Sequence, residues 1–75
     1  MKTIGEEPVY EVFARRALGE PLRHVGSVAA PSDDLARVYA RNIYDEESWI
    51  EMYVIPRAGL ISVESVRTDP VDAHV

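Results

Sequence analysis

Residues 24–44 read HVGSVAAPSDDLARVYARNIY, and the join between the two halves of this stretch decides the fold. The first half is rich in small and β-branched residues and stops at Pro31. The second half opens with Ser32, whose hydroxyl can accept from a first-turn N–H and cap a helix. Asp33 and Asp34 follow, where carboxylates favour the positive end of the helix dipole. Leu35, Val38, Tyr39, Asn42 and Ile43 then recur at helical spacing and are expected to face the core, with Arg37, Arg41 and Tyr44 off that stripe. Three acids, Asp45, Glu46 and Glu47, are unfavourable at a helix C-terminus, so the helix should end between Tyr44 and Glu46. His24 falls in the strand that precedes it. Gly26, inside that strand, marks a bulge or a close backbone approach.

Upstream, PVYEVFARRA alternates with period two. Tyr10, Val12 and Ala14 form a wholly apolar face that should point inward, leaving Val9, Glu11, Phe13 and Arg15 outside. Gly19 and Pro21 in LGEP punctuate a hairpin turn. In the second strand, Leu22, His24, Gly26 and Val28 share one face, and Arg23, Val25, Ser27 and Ala29 share the other. Downstream of the helix, SWIEMYVIP reads as a third strand, with Ile50, Met52 and Val54 on one face and Trp49, Glu51, Tyr53 and Ile55 on the other. RAG makes a reversal, and LISVESV reads as a fourth strand.

The order is therefore β-β-α-β-β. A right-handed crossover through the helix makes strands two and three parallel in direction, and strand one fits between them. The expectation is an α+β fold: a four-stranded, mainly antiparallel sheet of order 2-1-3-4 with one helix on one face, order 1-2-3-4 being the alternative. Residues 1–75 form a single domain, with 1–7 and 68–75 as mobile termini.

A chain of 75 residues is a small domain, marginal by itself, so oligomerisation is an expectation before any motif is read. The absence of cysteine rules out a disulfide framework and a cysteine nucleophile and fits a cytoplasmic location. No apolar run approaches the ~18 residues that span a bilayer, and the N-terminus lacks a signal peptide's apolar core. The net charge of −5 disfavours nucleic-acid binding, which draws its affinity from phosphate neutralisation. Arg15, Arg16 and Arg23 flanking the turn are the one group that could support it.

Chemistry is hard to place. In an extended strand Ser27 lies roughly 10 Å from His24 and on the opposite face, so the two make no local dyad. Two histidines and no cysteine make a structural zinc site a poor reading. The Asp45–Glu47 run lacks the spacing and glycine of a calcium loop. One helix cannot supply a di-iron carboxylate site, and no phosphate-cradling glycine loop is present. No residue is assigned as catalytic, cofactor-binding or metal-ligating, and the chain reads as a binding or assembly module. One helix cannot cover both faces of the sheet, so the uncovered face should present some of Val9, Phe13, Trp49, Tyr53 and Ile55, as interfaces do. Tyr39 is expected in the core; Tyr44 is expected on an outward face.

The run YEVFARRALGEPLRHVGSVAAPSDDLARVYARNIY, residues 10–44, resembles the PaaB family, the small subunit of the multicomponent phenylacetyl-CoA epoxidase. The match is carried by YEVF before a basic position, by RHVGSV.A and by LA..YAR..Y, and MYVIPRAGLISV resembles the family's aliphatic strand and reversal. The resemblance implies a non-catalytic subunit in aromatic (phenylacetate) degradation that bridges a di-iron catalytic oxygenase subunit and a helical scaffold subunit, and that is homodimeric. The chain is shorter after its fourth strand than the family's larger members. Phe13, Arg15, His24, Trp49 and Tyr53 are the candidate partner contacts. The competing reading is a stand-alone homodimeric small-ligand-binding protein, or a small enzyme using His24, on the uncovered sheet face.

Overall fold

The structure is a computed structural model that describes residues 7–64. Its elements are β1 (Val9–Arg15), β2 (Arg23–Ala29), α1 (Asp33–Ile43), β3 (Glu51–Pro56) and a one-turn 3₁₀ helix (Arg57–Gly59). The sheet has the order β2-β1-β3, with both outer strands antiparallel to β1. The central strand and the crossover are as the sequence predicts.

The fourth strand is corrected. Residues 60–64 of LISVESV carry no strand, and the remainder of that stretch lies outside the described residues. Ile61 and Val63 are 89% and 97% exposed, so this stretch has no surface to bury against, and an unpacked strand has little to hold it. The sheet is three-stranded among the described residues. The expected mobile termini fall almost wholly outside them.

Tyr10, Val12 and Ala14 point inward, as their alternation requires, and meet Val28, Ala30, Ala36 and Ala40 in the core. The Tyr10 hydroxyl donates to Asp33 Oδ1 at 2.6 Å and ties β1 to the start of α1. Ser32 is the N-cap, its Oγ accepting from the Leu35 N–H at 3.2 Å. The helical stripe is corrected in phase. Ala36 and Ala40 face the sheet, flanked by half-buried Tyr39, while Leu35, Val38 and Ile43 are exposed. Methyl side chains let the helix sit close on the strands, so the larger apolar residues fall to its flanks. Of the seven buried apolar residues in the described chain four are alanines, and Val12 is the largest side chain buried completely. This core is thin.

Gly26 does what its position suggests. The β1–β2 register runs Val12↔Gly26 and then Phe13↔His24, leaving Val25 as the extra residue of a bulge. The bulge resets the alternation. Val25 turns towards the core, and His24 leaves the face of Gly26 and Val28 for that of Ser27, a correction to the regular two-residue reading. Tyr44, the C-cap of α1, is half-buried and not outward-facing: its hydroxyl donates to the Ser27 carbonyl and accepts from the Ser27 N–H, each at 3.1 Å. A Cβ at position 26 would overlap the Tyr44 ring and hydroxyl, so the approach requires glycine.

Candidate functional site

The face of the sheet opposite α1 collects the polar chemistry. β1 supplies Glu11, Phe13 and Arg15; β3 sets Ile55, Tyr53 and Glu51 directly opposite them, and the bulged β2 sets His24 opposite Phe13. At its centre Glu11 is only 7% exposed. A carboxylate so enclosed needs charged or hydrogen-bonding partners, and it has two. Arg57 Nε donates to Glu11 Oε2 at 2.5 Å, and His24 Nε2 lies 2.7 Å from Oε1. Arg57 first, and His24 after it, hold the Glu11 carboxyl below its ordinary pKa, against the opposing effect of burial. The His24 ring also rests against Phe13, centroids 5.2 Å apart at 46°.

Arg15 closes the other end of the row. Its Nε donates to Glu51 at 2.7 Å, and its Nη1 reaches the Leu18 and Glu20 carbonyls of the hairpin turn. Arg16 pairs with Glu47 at 3.3 Å. Two of the three arginines read as a basic group are thus matched by acids.

Four of the five candidate contacts, Phe13, Arg15, His24 and Tyr53, come together on this face; Trp49 does not. It precedes β3, and its Nε1 donates to the Tyr44 carbonyl at 2.7 Å on the helix side. There it lines an open groove between α1 and β3 with Val38, Arg41, Ile50, Met52 and Val54. The alternation of the third strand starts only at Glu51, which is why Trp49 escapes it.

The sequence reading misses Glu11 and Arg57 as a pair. Glu11 carries a signal, being a lone acid amid apolar residues of a central strand, where a charge must be matched. Arg57 carries none, since it meets Glu11 only through the β1–β3 register. Both oxygens of Glu11 are engaged within the chain, and Phe13, Tyr53 and Ile55 lie around it on this face. Among the described residues no three His, Asp or Glu side chains converge as metal ligands would. No described helix is long and apolar enough to cross a membrane.

Comparison with known proteins adds three findings. The sequence model of the family described as Phenylacetic acid degradation B (PaaB) matches residues 6–73. A crystal structure of a phenylacetate-CoA oxygenase subunit PaaB from Ralstonia eutropha JMP134 is similar, with a TM-score of 0.66 and 29% sequence identity over 80% of this chain and 98% of that one. No curated protein matches.

Proposed function

The chain belongs to the PaaB family of phenylacetic acid degradation proteins, and from that membership we propose that it is a non-catalytic accessory subunit of a phenylacetyl-CoA-oxidising complex. In this reading it bridges a di-iron catalytic subunit and a helical scaffold subunit, and the chemistry belongs to the catalytic subunit. The similar Ralstonia protein is described as a phenylacetate-CoA oxygenase subunit, which supports the assignment.

The observation that carries the reading is the sheet face that no described element covers. Phe13, Tyr53 and Ile55 present apolar area there around a charge cluster already satisfied within the chain. A partner can cover such a face without leaving a buried charge unmatched. Burial of this face would also support a fold whose own core is built largely from alanine.

Reconstitution of the purified chain with the catalytic, scaffold and reductase subunits tests the proposal. The expected result is one co-eluting assembly by light scattering and phenylacetyl-CoA turnover that falls when the chain is omitted. Phe13→Asp with Tyr53→Asp should abolish co-elution while far-UV circular dichroism is unchanged. An oxygenase that assembles and turns over equally without the chain would overturn the reading, as would turnover by the chain alone.

A further inference from the structure

On the helix side of the sheet, α1 leaves room beside itself. Neighbouring strands lie about 4.8 Å apart, so the sheet is roughly 10 Å across from β2 to β3, and Ala36 and Ala40 seat the helix close on it. Among the described residues an open groove remains between α1 and β3. Met52 and Val54 lie half-buried beneath it, and Val38 and Ile50, 50% and 47% exposed, stand along it. Trp49 is fixed at its end by the Tyr44 carbonyl at 2.7 Å. Part of the groove is thus set before anything binds, which lowers the cost of ordering it. Exposed apolar residues gathered in one groove mark an interaction surface.

The charges along the groove are ordered. Arg37 and Arg41 stand four residues apart on this flank of α1, about one turn and 6 Å along its axis. Arg37 reaches Asp34 at 3.6 Å with both side chains largely in solvent, a kind of pair that contributes little. Arg41 meets no carboxylate among the described residues. Two acids across the groove are already matched, Glu51 by Arg15 and Glu47 by Arg16. Asp45, past the end of the helix, puts one anion at the far end. Beside its apolar residues the groove therefore offers two cations with capacity to spare.

We propose that this groove receives an amphipathic helix of the helical scaffold subunit. Its apolar stripe lies on Val38, Ile50 and Met52, and two of its carboxylates, one turn apart, face Arg37 and Arg41. A second helix packed at the usual 8–10 Å from α1 lies above β3 and completes the helical layer. An apolar stripe at i, i+3, i+4 and i+7 is the pattern that such a groove reads. An extended chain in the same place would leave its backbone polar groups facing side chains, whereas a helix satisfies its own. The inference rests on the accessory-subunit reading and adds a division of labour to it. The scaffold takes the helix side, and the face bearing Phe13 and Tyr53 is left to the catalytic subunit.

The full-length chain reconstituted with the scaffold and catalytic subunits provides the test. A benzophenone amino acid replaces Val38 or, separately, Ile50, both at exposed positions where substitution costs the fold little. After irradiation the crosslinked peptides are read by mass spectrometry. The expected adduct lies on the scaffold subunit, in a helix with two Asp or Glu four residues apart beside an apolar stripe. Arg41→Glu should weaken binding of the scaffold subunit roughly tenfold at low salt and by less at high salt. Arg23→Glu, the same change of charge on β2, should leave that binding unchanged, with circular dichroism showing both variants folded. An adduct on the catalytic subunit, on a second copy or on residues 65–75 of the same chain would overturn the proposal and name another occupant. Equal affinities of the Arg41 and Arg23 variants would overturn it too. An assembly that forms with neither position crosslinked to the scaffold overturns the groove alone; subunits that do not assemble with the chain overturn the accessory reading and this inference with it.

Discussion

Glu11 joins strands that are distant in sequence, because His24 reaches it from β2 and Arg57 from beyond β3. The folded state favours its charged form, since the carboxyl titrates below its ordinary value. A group with a depressed folded pKa contributes stability above the unfolded pKa and loses it as pH falls through the folded one. The wild-type chain should therefore lose stability below roughly pH 4.5, and Glu11→Gln should remove part of that slope while lowering stability at neutral pH. Thermal melts by circular dichroism from pH 6 down to 3 check this, and parallel curves for the two proteins would refute it. The face on which Glu11 lies is legible from the alternation of β1. Its partners are not. His24 reaches it through a bulge that shifts alternation by one residue, and Arg57 reaches it through a strand register that no local pattern encodes.

At the scale of elements, α1 shows how a correct period can come with a displaced phase. The helix ends at Ile43, one residue before the expected Tyr44–Glu46 window, with Tyr44 as its C-cap. The Ser32 cap and the start at Asp33 are in the sequence, because capping and dipole effects are local. The buried stripe is not, because alanine is a weak marker of a core position beside Leu35, Val38 and Ile43. The deciding factor is how close the helix must sit on the strands beneath Ala36 and Ala40. Ala40→Leu, for all its added apolar surface, should destabilise the fold by about 1–3 kcal/mol through overpacking. Val38→Ala, at a site 50% exposed, should change stability by no more than about 0.5 kcal/mol. Urea denaturation of the two variants gives the comparison, and the reverse ranking would restore the larger residues to the core. β3 carries the same lesson at its start: its alternation holds from Glu51 onward, while Trp49 is held on the helix side by the Tyr44 carbonyl.

For the whole molecule, chirality and chain direction leave two strand orders, with β1 between β2 and β3 or with β2 beside β3, and the structure has the first. The extent of the sheet is not legible. LISVESV has strand composition, but whether such a segment pairs depends on a surface to receive it, and the described part finds none. The uncovered face is anticipated for the same reason that the order is: a single helix covers one side of a sheet.

The Tyr44 hydroxyl on Ser27 has a further consequence, in the valence of the chain as a unit of polymerisation. An edge strand presents unpaired N–H and C=O groups that can template another copy, whereas an edge engaged by its own chain cannot. A unit with both edges open presents another edge with every copy added, so growth has no terminus and yields a ribbon. Tyr44→Phe removes only the oxygen that engages the Ser27 N–H and carbonyl. Its loss should open the β2 edge and give higher-mass species that grow with concentration by light scattering, and an unchanged mass would show that the bulge at Val25 suffices as terminator. By this account a single phenolic oxygen keeps the β2 edge from serving as a template.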